Sequence, residues 1–290
     1  MQKVKKAVIP VAGYGTRFLP FTKAIPKAML PVVNVPAIQI IIEEAVKSGI
    51  EEILLIVGQH KATIETHFSA SKELEEVLLN RQSTEFLQKV IAPQKLAKIS
   101  FVEQKVQNGT GNAVLLAEEF VNGEPFAVLF GDDVMYSEKP VLAQLIEVFE
   151  RENKTVIGVQ SVGYENLAKY AACDFNSHEG NIYNVTALVE KPDPSIAKSD
   201  IAPLGRYVLR ADFFENLHNL KPGIHGEYQL TDALAMEIDR EGLLAYEFEG
   251  RRFDTGDVFG FLQANIEFSL QNPEYKDKMQ EYLKNLVKKF

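Results

Sequence analysis

The sequence predicts an α/β fold: a Rossmann-like, mainly parallel sheet flanked by helices, then a mixed-strand region and a helical C-terminal tail. Two observations predict it. Short apolar runs alternate with helix-period segments through the first half, the βαβα pattern of a parallel sheet covered on both faces. In the second half the apolar runs at 181–189, 204–209 and 243–248 read as strands of a mixed or antiparallel region.

In chain order, residues 7–11 form a short buried strand. Pro10 lacks a ladder donor and is placed at the end of that strand. Residues 37–47 form a helix in which Ile40, Ile41, Glu44 and Ala45 fall at helical spacing. A second apolar strand at 53–57 precedes helical stretches at 61–68 and, rich in Glu, Leu and Lys, at 71–90. Strand 99–102, helix 111–120, strand 126–130, helix 141–150 and strand 155–159 continue the alternation. The segment 192–199, punctuated by Asp and Pro, reads as a loop. Further helices are expected at 211–217, 229–241, 258–270 and 274–288. No internal repeat, low-complexity tract or dividing linker interrupts the chain, so residues 1–270 read as one unit with 271–290 as a helical tail.

Composition excludes several classes. The chain has 290 residues, 46% hydrophobic and 24% charged, an ordinary globular balance with material for a sizeable core. No stretch approaches the roughly 18 consecutive apolar residues of a membrane span, and the basic start at 1–6 leads into a strand rather than a secretory signal. The formal net charge of -9, with no basic run interleaved with aromatics, argues against binding DNA or RNA. The single cysteine, Cys173, permits no intramolecular disulfide and no cysteine zinc cluster, and is read as a buried bystander. These features predict a cytoplasmic protein. The five histidines, His60, His67, His178, His218 and His225, show no metal-ligand spacing and are read as surface or core residues.

Ligands of open α/β sheets bind beyond the carboxyl ends of the strands, so the residues just past each strand matter most. After the first strand comes Ala12-Gly13-Tyr14-Gly15-Thr16-Arg17. Its glycines allow a tight turn and bring N–H donors close to phosphate oxygens, and Arg17 adds a planar cationic fork. Ten residues on, Lys27 sits in a segment stiffened by Pro26 and Pro31. Phe18 stands where a dinucleotide fingerprint needs glycine or alanine, and no P-loop Gly-Lys-Ser/Thr occurs. After 99–102 come Glu103-Gln104 and Gly109-Thr110-Gly111; a glutamine amide can pair with the edge of a pyrimidine. After 126–130 comes Gly131-Asp132-Asp133, carboxylates placed either to hold a divalent ion against phosphates or to cap a turn.

Gly13-Tyr14-Gly15-Thr16-Arg17-Phe18-Leu19-Pro20 with Lys23-Ala24-Ile25-Pro26-Lys27 resembles the signature of bacterial UTP–glucose-1-phosphate uridylyltransferases, within the wider sugar-1-phosphate nucleotidyltransferases. The similarity runs from about Lys3 to Phe268 and recurs in separated motifs. It implies a nucleotidyltransferase type A fold, with a nucleotide-binding part at about 1–135 and a mixed sugar-phosphate part at about 136–255. It implies transfer of the uridylyl group of UTP to glucose 1-phosphate, giving UDP-glucose and pyrophosphate with Mg²⁺ as cofactor, in a homodimer or homotetramer.

The resemblance assigns the nucleotide to Ala12, Gly13, Gly15, Thr16, Arg17, Lys27, Gln104 and Gly109. It gives the metal to Asp132 and to Asp254 of Phe253-Asp254-Thr255-Gly256-Asp257, leaving Asp257 as a possible helix N-cap. It assigns the phosphate of the sugar to Lys191, sugar hydroxyls to Glu190 and Glu227, and the pocket lining to Gly131 and Gly205. Arg17, Lys27, Asp132 and Lys191 would carry the chemistry, an in-line displacement at the α-phosphorus that needs no general base. Ala28, Asn108 and Asn112 depart from the family pattern, where glutamate, lysine and histidine are common. Two rival readings stand beside this one: a thymidylyltransferase using the same sugar phosphate, and a non-catalytic sugar-nucleotide-binding regulator.

Overall fold

The computed structural model describes residues 3–193, 195, 197–223 and 226–290. Met1, Gln2, Pro194, Ile196, Ile224 and His225, and the side chain of His178, lie outside the described residues. The chain opens with β1 (Lys6–Val11), a small hairpin of β2 (Pro31–Val32) and β3 (Val35–Pro36), and α1 (Ala37–Lys47). Then come β4 (Glu52–Val57), α2 (Lys61–His67), α3 (Lys72–Asn80), α4 (Thr84–Ile91) and β5 (Lys98–Glu103). Next are α5 (Thr110–Leu115), α6 (Glu118–Val121), β6 (Phe126–Leu129), β7 (Asp133–Tyr136), α7 (Val141–Glu152) and β8 (Thr155–Ser161). The second half begins with β9 (Ala171–Glu179), β10 (Ile182–Glu190), β11 (Ile201–Leu209), α8 (Phe214–His218) and α9 (Leu230–Arg240). It closes with β12 (Leu243–Glu247), β13 (Arg251–Asp254), α10 (Val258–Gln271) and α11 (Lys276–Val287).

Nine strands form one sheet in the order β5-β4-β1-β6-β11-β8-β12-β10-β9. The first four are parallel, β11 lies antiparallel between β6 and β8, β12 is parallel to β8, and β10 and β9 close the edge antiparallel. All but β10 and β11 thus run in one direction, a mainly parallel sheet that becomes mixed in its second half. Alternation along β1 sends Ala7, Ile9 and Val11 into one core and Val8 into the other. The first core takes Ile38, Ile41 and Ile42 of α1, with Leu142 and Leu145 of α7. The second takes Ala113 and Val114 of α5, Leu217 of α8 and Leu230 and Leu234 of α9. Burial on both faces is why β1 and β4 are nearly continuous in apolar residues.

The order also locates a crevice. From β1 the chain moves outward to β4 and β5, then returns to the other flank of β1 as β6. At that reversal the loops after β1 and β6 diverge, which is where doubly wound sheets bind their ligands.

Several expectations change. Pro10 lies inside β1, paired with Ile56; the ladder to β6 stops at Val8, so β1 tolerates a residue without an N–H beyond that point. The helix expected over 71–90 breaks into α3 and α4 at Gln82, which takes a left-handed conformation. The helix expected over 111–120 is α5 and α6, joined through short-range bonds from Leu116 N–H to Ala113 O and from Ala117 N–H to Val114 O. The strand β9 and the ribbon of β7 with β13 were not anticipated. Cys173 is buried in the second core, its thiol pushed up to about 12 by burial with Asp174 adding to it, as an inert bystander requires. Among the described residues no helix is long and apolar enough to cross a membrane.

Candidate active site

At the carboxyl end of β1 the chain turns through Gly13 and Gly15. Gly15 has φ +63, and a Cβ there would lie 3.0 Å from Thr22 Cγ2 and 3.1 Å from Lys27 Cβ, so only glycine fits without strain. The Thr22 hydroxyl donates to Gly15 O at 2.8 Å and ties the turn to the Pro26–Pro31 segment beyond it. This folding-back carries Lys27 over the glycines: a Cβ on Gly13 would stand 3.9 Å from Lys27 Cε. The Lys27 ammonium then forms an ion pair with Asp132.

Asp132 lies just past β6. A Cβ on Gly131 would meet Val11 Cγ1 at 2.3 Å, so glycine is what lets the ends of β1 and β6 approach. Asp254 arrives from far along the chain, at the end of β13, whose ribbon with β7 pairs Asp254 with Asp133. Thr255 donates its N–H and its hydroxyl to Asp132 O, both at 2.8 Å, and Gly256 N–H donates to Asp254 Oδ1 at 2.9 Å. A Cβ on Gly256 would be 2.5 Å from Asp132 Oδ2 and 3.0 Å from Asp254 Oδ1, so both carboxylates border one small volume. Arg17 Nη1 donates to Gly256 O at 3.4 Å. Arg17, Lys27, Asp132 and Asp254 therefore meet in one knot, and a cavity lined by Arg17, Lys169, Tyr170, Arg252 and Asp254 opens beside it.

The electrostatics are strongly coupled. Burial pushes the Asp132 carboxyl up, but Lys27 outweighs it and leaves the pKa below the ordinary value. Burial likewise works against charge on Lys27, and Asp132, with Asp254 and Asp133 behind it, holds its pKa above the ordinary lysine value. Asp133 points away into the protein. Burial pushes its pKa up to about 6, against the pull of Arg252 and with Asp132 and Asp254 adding to the rise. Gly205, at φ +64, leaves room for it; a Cβ there would sit 2.1 Å from Asp133 Oδ2. The fully buried Arg206 fixes the same turn by donating to Asp133 O at 2.8 Å while gripping Glu44 of α1.

A second group surrounds the ends of β4 and β5. Gln104 is buried, its N–H donates to Val57 O at 2.9 Å, and its Nε2 donates to Gly109 O at 3.3 Å. Gly109, at φ +116, presses on Tyr228, where a Cβ would be 2.3 Å from the carbonyl oxygen. Gly111 N–H donates to Tyr228 O and Tyr228 N–H to Asn108 O, each at 2.8 Å, so this loop is joined to the one bearing Glu227. Glu227 accepts from Gln229 at 2.5 Å, and Glu190 accepts from the Thr231 hydroxyl at 2.8 Å. Lys191 stands off from the knot: its Nζ is 4.0 Å from Glu190 Oε1, and its N–H donates to Tyr170 O from a left-handed backbone at φ +46. Ala12 and Gly13, just past β1, line a small cavity, and Gly15 caps the short turn Thr16–Phe18 that holds Thr16.

Asp257 is an N-cap, accepting from Phe259 N–H at 3.0 Å and Gly260 N–H at 3.1 Å. His67 bonds Gln39 and His218 bonds Glu118, whereas His60 lies past β4 and lines a small cavity with Ala12 and Gly13. No group of three or more His, Cys, Asp or Glu that could hold a metal exists among the described residues. Two facing carboxylates, completed by substrate oxygens and water, nonetheless suit Mg²⁺, which takes one or two protein carboxylates beside phosphates.

Sequence reasoning missed Arg252, which bonds Asp133 Oδ1 at 2.6 Å and Tyr170 Oη at 3.0 Å and stands 3.5 Å from Asp254. The i, i+2 spacing of Arg252 and Asp254 on one strand face was the available signal. Gly256, the close contact between the carboxylates, also went unassigned.

Comparison with known proteins gives a consistent result. Residues 6–270 match the family described as nucleotidyl transferase. The chain is 48% identical over 288 residues to UTP–glucose-1-phosphate uridylyltransferase YngB of Bacillus subtilis, covering 99% of this chain and 97% of that one. It is 45% identical over 286 residues to UTP–glucose-1-phosphate uridylyltransferase of Staphylococcus epidermidis, covering 99% of each. The solved structure of UTP-bound UGPase from Acinetobacter baumannii superposes with a TM-score of 0.90 at 34% identity, over 97% of this chain and 98% of that one. A phosphate-suited turn, a metal-suited carboxylate pair and the match across nearly the whole chain agree: this protein belongs to the nucleotidyl transferase family.

Proposed function

We propose that the protein joins UTP and glucose 1-phosphate into UDP-glucose and pyrophosphate, with Mg²⁺ as its cofactor. The observation that carries this reading is the convergence of Arg17 and Lys27 on Asp132 and Asp254 at the sheet's reversal point. A phosphate oxygen of glucose 1-phosphate attacks the α-phosphorus of UTP. The bond from that phosphorus to the oxygen bridging the β-phosphate breaks, and pyrophosphate leaves with the electron pair. The nucleophile is already anionic near neutrality, so no base is required, and the barrier is dominated by bringing two anions together.

Lys27 and Arg17 hold the triphosphate, which requires Lys27 to exchange part of its contact with Asp132 for phosphate oxygen. Lys191 receives the sugar phosphate from across the cleft, and its exposed position leaves the ammonium free to swing. Gln104 takes the uracil beside the backbone of Ala12, Gly13 and Gly109, with Gly15 and Thr16 under the phosphates. Glu190 and Glu227 accept from sugar hydroxyls, and Gly131 and Gly205 line that pocket. Asp132 and Asp254 would hold Mg²⁺, which supplies charge neutralisation on both phosphates.

The catalytic unit in this reading spans about 1–270, with nucleotide and sugar-phosphate parts meeting near 135 and 271–290 as tail. A homodimer or homotetramer is supported by exposed apolar residues on α10 and α11, including Leu262, Ile266, Tyr282 and Val287. A cytoplasmic setting suits the single free thiol of Cys173. The test is pyrophosphate release with UTP, dTTP, CTP and ATP against several hexose 1-phosphates, with Mg²⁺ and with a chelator. Metal-dependent release with UTP and glucose 1-phosphate is expected; faster release with dTTP, or none with any pair, rejects the reading.

A further inference from the structure

Arg252 lies two residues before Asp254 on β13, so both side chains leave the same face of the ribbon with β7. On the partner strand Asp133 is directly opposite Asp254. Like charges opposed across a strand pair repel, and a third carboxylate, Asp132, adjoins Asp133 in the chain. Arg252 stands between the opposed pair. Its Nε donates to Asp133 Oδ1 at 2.6 Å and its Nη1 to Tyr170 Oη at 3.0 Å. Its Nη2 is 2.5 Å from Asp133 Oδ1 and 3.5 Å from Asp254 Oδ2. The side chain is 12% exposed and that of Asp133 4%, so the contact is sheltered from water.

The two oxygens of Asp254 are thereby given different tasks. Oδ2 is turned to Arg252. Oδ1 accepts from Gly256 N–H at 2.9 Å and borders the small volume shared with Asp132 Oδ2. Asp133 is sorted the other way: the space left by Gly205 receives its Oδ2, and Arg252 takes its Oδ1. Of three clustered carboxylates, two face the shared volume and one is kept out of it. A guanidinium does this because its planar fork meets three partners in one fixed geometry, whereas a lysine ammonium is a single point charge.

We propose that Arg252 is a positioning residue for uridylyl transfer, holding Asp133 out of the cleft and turning Asp254 toward a divalent ion shared with Asp132. In this role, which rests on the metal-holding pair of the proposed function, Arg252 touches neither substrate.

The experiment compares wild type with Arg252→Lys, which keeps a charge beside Asp133 and removes the fork. Pyrophosphate release is measured with Mg²⁺, UTP and glucose 1-phosphate each varied, and thermal unfolding is followed without ligand. Mn²⁺ binding to protein saturated with UDP-glucose is followed by the electron paramagnetic resonance signal of free Mn²⁺. The expected result is a Mn²⁺ affinity weakened about tenfold and a Mg²⁺ half-saturation raised by a similar factor, as for loss of a group that orients a metal ligand. At saturating Mg²⁺, kcat falls while KM for each substrate changes less than about threefold. Unfolding stays within a few degrees of wild type. An ion pair that only stabilised the fold would lower the unfolding temperature and leave Mn²⁺ binding as it was.

Unchanged Mn²⁺ binding with an unchanged Mg²⁺ half-saturation overturns the proposal, as does a raised KM for one substrate alone, which makes Arg252 a substrate contact. Should Arg252→Lys unfold early, Arg252→Gln combined with Asp133→Asn repeats the measurement without leaving a buried carboxylate unpaired. Weakened Mn²⁺ binding in that stable protein sustains the positioning of Asp254, and unaltered binding rejects it. Asp254→Asn separates the two levels of argument. If it leaves Mn²⁺ binding and the Mg²⁺ half-saturation unaltered, the metal-holding pair is misassigned; if it weakens them and Arg252→Lys does not, only the role of Arg252 fails.

Discussion

Gly256→Ala isolates the carboxylate pair from everything else in the site. The position is not in the left-handed region, so alanine is compatible with the backbone, and the cost falls on the atoms its methyl group meets. That methyl would stand 2.5 Å from Asp132 Oδ2, where ordinary contact begins at 3.4 Å, so 3.4 minus 2.5 gives a required displacement of 0.9 Å. Asp132 yields poorly, because Lys27 holds its carboxylate and Thr255 its carbonyl. Asp254 Oδ1, at 3.0 Å, closes the other side. A misplacement of roughly 1 Å in a reacting constellation costs on the order of 10²-fold, or about 2.7 kcal/mol of barrier. The assay is kcat for pyrophosphate release at saturating UTP and glucose 1-phosphate, with Mg²⁺ varied, alongside thermal unfolding. The expectation is a kcat lowered by about two orders of magnitude and a higher Mg²⁺ requirement, in a protein that unfolds within a few degrees of wild type. A variant keeping more than about a third of wild-type turnover would refute the claim that both carboxylates act from this volume.

Asp132→Ala is expected to abolish turnover, a loss of roughly 3–4 kcal/mol or more if it behaves like removal of a preorganised electrostatic group, measured by pyrophosphate release. Lys191→Ala is expected to raise KM for glucose 1-phosphate about tenfold or more while leaving KM for UTP nearly unchanged, since a charge-assisted hydrogen bond is lost from one substrate only. Away from the site, the hydrogen bond from Arg210, with Arg240 behind it, holds Asp212 down to about 2 from the ordinary 3.8. A depressed carboxylate stabilises the fold above its unfolded pKa and loses that contribution as pH falls from about 4 to about 2. Asp212→Asn is therefore expected to cost about 1 kcal/mol at pH 7, allowing for solvent screening, with the difference from wild type vanishing near pH 2 in urea unfolding curves.

The first half of the fold was legible because strands buried on both faces are written as unbroken apolar runs, as in residues 53–57, and their helices as periodic ones. The edge strand β9 was not, because the alternation of Ala171, Cys173 and Phe175 against Asp174 and Asn176 is short and ends at Ser177, leaving the rest of Ala171–Glu179 polar. Helix breaks at Gln82 and near Leu116 left no glycine or proline to mark them. At the site, Gly13, Gly15, Gly131 and the charged residues after them could be read from their position behind apolar strands. Arg252 and Gly256 could not be weighted, because their importance lies in contacts with Asp133 and Asp132 more than a hundred positions away in the chain. The structure alone reveals that Lys27 is already paired with Asp132 and that Lys191 lies 4.0 Å from Glu190 with its side chain exposed.

The ribbon that joins Asp133 to Asp254 adds a second tie between the halves of the chain, beside the pairing of β11 with β6. A ribosome exposes the glycine turn after β1 and Asp132 first, and Asp254 follows Asp132 by 122 residues. Until then Asp132 has no second carboxylate to face. Cutting the gene between β7 and α7 would give two inert polypeptides. Mixing them is expected to restore turnover only if both the β6–β11 edge and the short pairing of Asp133–Tyr136 with Arg251–Asp254 re-form between separate molecules.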